Sequence, residues 1–251
     1  MLSVRPREII VRCVLSIVLV LGLNGNAVGE SREQVQVRTI SITPYGIHND
    51  GQSSGIYYDL ANTMAKESGY RVVNHVYPYI RIMHELKSGQ ADFTIMFKYK
   101  ELDEHVIYVA PLPSLKNVVI GLKGTQIDSI NDLKYKTLAY LRGAKFSDVI
   151  DNDMTIKKLQ TVDFNQGMKM LKGGRVNAVI GPLEALLDAA EANGLSLSEF
   201  SSPLVVSQRT PWVQVSKKSQ YRLNIRQLTK NVEVILKRGE LTQLRLKYLG
   251  Q

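Results

Sequence analysis

The amino-acid sequence predicts an α/β protein of two lobes joined by two crossing segments. Three observations carry that prediction. A phrase is written twice, as MHELKSGQADFTIMF at 83–97 and MKMLKGGRVNAVIGP at 168–182, with Gly89 falling on Gly174 and Met, Leu, Lys and Ile at matching places. Around each copy, runs of strand character alternate with runs of helical periodicity. The 251 residues are 44% hydrophobic and 22% charged, which is enough for one large core or two modest ones.

The first residues stand apart. Arg5, Arg7 and Arg12 precede an apolar run at 13–23, and small residues follow, the pattern of a secretory signal peptide over 1–29 cleaved after Ala27 or Gly29. The run is shorter than the ~20 residues of a membrane-spanning helix. Cys13, the only cysteine, opens the run instead of ending it, which speaks against a lipid anchor. The expected mature protein works in a bacterial periplasm without a disulfide and relies on its core.

VQVRTISI then alternates as a strand and ends at the turn TPYG. GIYYDLANTMAKESG places Leu60, Ala61, Met64 and Ala65 at helical spacing and stops at Gly69. RVVNHVY reads as a strand, YIRIMHELKSG as a helix with Ile82, Met83 and Leu86 inward, and ADFTIMF as a strand. The second set repeats the order: YKTLAYL strand, GAKFSDVID short helix, IKKLQTVD strand, FNQGMKMLKGG helix, RVNAVIG strand, and PLEALLDAAEANG helix with Pro182 near its first position. Such alternation predicts mostly parallel sheets covered by helices. LKNVVIGLKGT and LVVSQRTPWVQVSKKS, both β-rich, are the expected crossings, near 117–124 and 205–215, and two helical segments close the chain. Lobe 1 is expected over 30–119 and 214–251, lobe 2 over 120–213.

The formal charge is +9, but the basic residues are spread along the chain and no basic run is interleaved with aromatics, so a nucleic-acid partner is not expected. His48, His75, His84 and His105 form no metal-ligand spacing, no cofactor is implied, and no Gly-x-Ser-x-Gly is present. GLKGT lacks the full spacing of a phosphate loop and reads as a hinge turn.

The phrases GIYYDLANTMAKESGY, PYIRIMHELKSGQADFTI, YVAPL, DLKYKTLAYLRGAKFSD, MKMLKGGRVNAVIG, WVQVSKKS and ILKRGELTQLRLKYLG resemble, in order, those of bacterial extracellular solute-binding protein family 3, the receptors of polar amino-acid ABC transporters. The resemblance implies a two-lobed type II periplasmic binding fold that closes on a solute held between its lobes. In that family an arginine after the strand matching ADFTIMF receives the α-carboxylate of an amino acid, and an acidic residue after the strand matching RVNAVIG receives its ammonium. Here FKYKELDEHVIYVAP contains no arginine, and Pro182 stands at the acidic position. An α-amino acid would leave two charges unpartnered, at about 1 to 3 kcal/mol or more each.

The expected solute is therefore small and polar, with an anion as one form of it, and not an ordinary α-amino acid. Arg81 opens a helix at the carboxyl edge of a strand, and Arg142 with Gly143 precedes a helix N-terminus. With Lys98 and Lys145 they would give the cleft a positive character, the alternative being solvated surface charge. Tyr45, Tyr79, Phe97 and Trp212 fall at strand ends or crossings, where they would face a solute or pack in the core. The expected partners are the solute and a membrane ABC permease or a membrane sensor protein, with the chain a monomer. The alternatives are a periplasmic sensor or accessory receptor, and a dehydratase-like enzyme drawing on His48, Glu101 or Glu184, whose spacing pairs no base with an orienting group.

Overall fold

The computed structural model describes residues 33–250, so the signal peptide expected over 1–29 lies outside the described residues. The chain begins with β1 (Gln34–Ile40), the short hairpin β2 (Ile47–Asn49) and β3 (Gln52–Ser54), α1 (Ile56–Glu67), β4 (Arg71–Tyr77), α2 (Tyr79–Ser88) and β5 (Phe93–Phe97). β6 (Val106–Pro111) and β7 (Leu115–Ile120) lead to β8 (Thr137–Leu141), α3 (Asp148–Asn152), β9 (Lys157–Thr161), α4 (Phe164–Lys172), β10 (Ala178–Pro182) and α5 (Leu183–Ala192). β11 (Leu204–Arg209), β12 (Pro211–Ser216), α6 (Ile225–Lys237) and α7 (Glu240–Leu249) complete it.

Two five-stranded sheets result, in the orders β4-β1-β5-β12-β6 and β11-β7-β10-β8-β9. In each, the first strand of a βαβαβ set lies between the second and third, with parallel pairing: β1 between β4 and β5, β8 between β9 and β10. The repeated phrase is the second helix and third strand of each set. Gly89 and Gly174 both take the left-handed conformation, at φ 80° and 67°, which lets the chain reverse from helix into strand where a side chain would be strained.

Each third strand then accepts an antiparallel neighbour from the far part of the chain: β12 pairs with β5, and β7 with β10. The first crossing therefore falls at 112–114, ahead of the expected 117–124, because LKNVVI is spent as a strand of the second sheet. The second crossing is at residue 210, so β12 as a whole belongs with the first sheet. The crossings run side by side, with Leu112 N–H donating to Pro211 O at 2.8 Å and Ser114 Oγ 2.7 Å from Thr210 Oγ1.

Helix α1 buries Ile56, Tyr57, Leu60, Ala61, Met64 and Ala65 as one stripe. It packs on β1 and β4 and against α6 and α7, so the closing helices return to the first sheet. Asp59 fastens that contact by accepting from Lys247 Nζ at 2.8 Å and from the Tyr248 hydroxyl at 2.7 Å. In the second set α4 and α5 pack on β10 and on each other. The short helix expected from Gly143 starts only at Asp148, since residues 142–146 form the lip described below.

Helix α2 departs from its periodicity in one respect: Glu85 is buried beside Ile82 and Leu86. Arg38 of β1 donates to it at 2.5 Å and Arg81 at 2.8 Å, while Arg81 also stacks 3.5 Å from the Tyr77 ring centroid. Burial alone would raise the Glu85 pKa, but the bonds from Arg81 and Arg38 outweigh it and hold the carboxyl below the usual range. A carboxylate depressed in the folded state stabilises the fold above its unfolded pKa, and that stabilisation is lost as pH falls through the folded value. Urea midpoints taken between about pH 5 and pH 3 should fall more steeply for the wild type than for Glu85→Gln, with equal slopes showing that the network carries no linkage.

Candidate ligand-binding cleft

The parallel strands of both sheets point their carboxyl ends at one place, the position where open α/β sheets hold ligands. There a cavity of about 50 Å³ lies between the sheets. Ile40 and Phe97 end β1 and β5 on one side, and Leu141 and Pro182 end β8 and β10 on the other. Tyr45, Tyr57, Tyr79 and Tyr99 form much of the wall on the first side, Ala144 and Phe146 face them, and Leu115 and Pro211 close the hinge end. The lining, drawn from the described residues, contains neither a carboxylate nor a cation. At about 10 to 15 Å³ of cavity volume per water, the void is a few waters in size, and a larger solute gains room as the sheets part.

The rings are arranged in pairs. Tyr45 stacks on Tyr57 with centroids 4.6 Å apart, and Tyr79 tilts against Tyr99 at 4.5 Å. Burial is the main cause that raises the pKa of Tyr45, Tyr57, Tyr79 and Tyr99, so all four phenols stay protonated and can donate hydrogen bonds. Tyr45 uses its hydroxyl on Glu184 of α5 at 3.2 Å, and Glu184 in turn pairs with Arg245 of α7 at 3.2 Å, which joins the two lobes beside the hinge. Arg245 Nε is buried there without a hydrogen-bond partner.

Tyr45, Tyr79 and Phe97, all expected at the site, line the cavity. Gly143 and Lys145 lie at its rim. Gly143 holds φ 76°, and a Cβ there would stand 3.2 Å from Ile80 and 3.4 Å from Tyr79 of the other lobe, so this glycine is the lip that touches when the cleft is shut. Lys145 Nζ reaches Glu101 across the rim at 3.5 Å. Arg142 donates its backbone N–H to Thr161 O at 2.9 Å and is exposed, outside the lining. Arg81 is turned to Glu85 and Tyr77. Lys98 sits over Trp212 at 3.7 Å and over Tyr108 at 4.2 Å, so these three form a cluster of their own apart from the cavity.

Sequence reasoning missed Tyr57, Tyr99, Phe146 and Arg209. Tyr57 and Tyr99 had a local signal, since each follows a residue already at a strand-to-helix turn or strand end. Arg209, the last residue of β11, had none. Its guanidinium donates to Lys145 O, and to Lys98 O at 2.6 Å, and lies 4.9 and 5.1 Å from the ring centroids of Phe97 and Tyr99.

Residues 37–251 match the bacterial extracellular solute-binding proteins, family 3. The chain belongs to that family. The probable amino-acid-binding protein YxeM of Bacillus subtilis (strain 168) is 24% identical over 250 residues, covering 95% of this chain and 93% of that relative. Among solved structures, an ancestral arginine-binding protein bound to arginine superposes with a TM-score of 0.72 at 23% identity, over 87% of this chain and 99% of the other. A histidine kinase sensor domain with similarity to periplasmic binding proteins gives 0.73 at 15% identity, over 88% and 98%. These likenesses speak for the fold, which is the type II periplasmic binding fold that the family resemblance implied. The family's members are extracellular solute-binding proteins.

Within this fold the rim is open to a direct experiment. Gly143→Val puts a branched side chain at a left-handed position, which costs about 1 to 3 kcal/mol, and into the space that Ile80 and Tyr79 occupy on closure. Small-angle scattering should show a larger radius of gyration for this variant than for the wild type; an identical curve would remove Gly143 from the contact that governs closure.

Proposed function

We propose that the protein is a periplasmic receptor that captures a small solute with an apolar body and a polar end in the cleft between its sheets, and delivers it to an ABC-type membrane permease. The observation that carries this reading is the lining: aromatic and aliphatic on every side, with hydrogen-bonding groups confined to phenols and to the rim. Apolar surface brought together there contributes about 25 cal/mol for each Å² removed from water, so the body of the solute supplies most of the affinity. A solute touching both lobes favours the closed form, and closure is the state a permease can read.

The same lining speaks against an ordinary α-amino acid, although YxeM is named as a probable amino-acid-binding protein. A zwitterion needs an acceptor for its ammonium, and the wall offers no carboxylate. Glu184, the nearest candidate by sequence, is held by Tyr45 and Arg245. Anionic character of the solute, expected from the sequence, would have to be met at the rim, where the charged groups stand.

A thermal-shift screen tests the reading. A ligand present at about 100 times its Kd adds about 2.7 kcal/mol, and for a chain of this size each kcal/mol moves Tm by about 2 to 4 °C. The twenty standard amino acids should each leave Tm unchanged at millimolar concentration, while small solutes with an apolar body raise it by several degrees. Stabilisation of that size by a standard amino acid would overturn the reading.

A further inference from the structure

The cavity wall has one charged neighbour whose charge is not matched. Among the described residues, Arg209 is the cation stacked over rings that line the cavity, its guanidinium 4.9 Å from the centroid of Phe97 and 5.1 Å from that of Tyr99. It is half-buried and donates to two backbone carbonyls, of Lys98 and Lys145, and no carboxylate among the described residues pairs with it. Carbonyl oxygens satisfy N–H groups but carry no formal charge. The carboxylates behind this wall are turned to other groups: Glu101 pairs with Lys145 at 3.5 Å, and Asp151 accepts through Oδ1 from the Tyr140 hydroxyl and from the N–H groups of Phe146 and Ser147, with its Oδ2 buried and without a hydrogen-bond partner. A permanent positive charge therefore stands next to an apolar void.

Its position in the topology adds a second argument. Arg209 and Lys145 belong to the second sheet and its lip, whereas Lys98 follows β5 of the first sheet. When the sheets part to admit a solute, the bond to Lys98 O is the one that crosses the cleft and must break, and the bond to Lys145 O stays within its own lobe. One arm of the fork is thus released by the opening that lets solute in, on a guanidinium that lies over Phe97 and Tyr99, two rings of the cavity wall.

We propose that Arg209 is the anion-recognising residue of the cleft, and that the solute is a monocarboxylate with an apolar body, aliphatic or aromatic. A carboxylate at the released arm exchanges a neutral acceptor for a charged one and adds an ion pair to the hydrogen bond, and the planar guanidinium suits it geometrically. Of the other cations named for this role from the sequence, Arg81 is committed to Glu85, Lys98 to Trp212 and Tyr108, and Lys145 to Glu101, while Arg142 is exposed outside the lining. The inference rests on the cleft being the solute site.

Calorimetric titration of the purified protein with 3-phenylpropanoate, butanoate, 3-phenylpropanamide and 3-phenylpropylamine tests both layers separately. The expected result is that at least one of the two acids binds, and that for the phenyl pair the acid binds at least about tenfold more tightly than its amide while the amine does not bind. Arg209→Gln should remove that preference and leave the amide as it was. An amide that binds as well as the acid, or an Arg209→Gln protein that keeps the preference, overturns the role of Arg209 while leaving the cleft reading in place. Binding of none of the four overturns both. The comparison of acid with amide in the wild type needs no variant, so it stands even if Arg209→Gln fails to fold.

Discussion

The molecule depends on a double crossing. Because the chain passes from the first sheet to the second at 112–114 and returns at residue 210, the lobes are tied by two strands lying side by side, with Ser114 and Thr210 in contact. A single link would leave the lobes free in several directions, whereas a paired link restricts them to opening and closing about one axis. The strand that arrives in each sheet pairs with the third strand of the resident set, which anchors the hinge in hydrogen-bond ladders on both sides. The carboxyl ends of both parallel sets then have to face each other across the hinge, and whatever residues end those strands become the walls of one cavity.

From that geometry follows the balance between open and shut forms. Shut, the lobes share the Tyr45–Glu184–Arg245 chain, the Arg209–Lys98 bond, the Lys145–Glu101 pair and the contact of Gly143 with Ile80 and Tyr79. A typical hydrogen bond contributes about 0.5 to 1.5 kcal/mol net, and an exposed ion pair about 0 to 1. A handful of such contacts stabilises the shut form before any solute is counted. A solute therefore shifts the equilibrium only by the difference between what it gains in the shut form and what these bonds already supply. It has to displace as little as possible of the interlobe network while filling a void of about 50 Å³ that grows as the sheets part.

Much of the fold was legible because the repeated phrase is a local statement about local structure. Helix, left-handed glycine and buried strand follow from residues close in sequence, and two copies imply two sets. What was not legible depends on partners distant in sequence. LKNVVI reads as a buried strand in either sheet, so its periodicity could not say that the crossing precedes it. Glu85 sits on the inward face of an otherwise regular helix, and its burial is tolerable because Arg38, forty-seven positions upstream, joins Arg81 in donating to it. Arg81 had the right place for a ligand at the edge of β4 but is drawn to Glu85 by a spacing of four on its own helix. Tyr45, Tyr79 and Phe97 could be placed at the cavity wall because strand ends in α/β sheets face the cleft as a rule of topology; the place of Arg209 beside that wall was not legible because the strand that carries it read only as a crossing.

The polar groups around the cavity have a consistent sense. Phenols kept protonated by burial are donors, and Tyr45 already spends its hydrogen on Glu184. The guanidinium of Arg209 has only donors. Against these, the wall presents no carboxylate, and the Lys98 and Lys145 carbonyls are occupied by Arg209 itself. A phenol can accept as well as donate, but among the lining residues no carboxylate faces an ammonium, so an ammonium brought here loses its water without gaining an opposite charge, whereas an acceptor-only group loses its water and finds donors waiting. On the reading proposed above, the cleft disfavours the ammonium half of an amino acid on the same grounds on which it favours a carboxylate, and Pro182, standing where the family resemblance puts an acidic residue, is part of that reading.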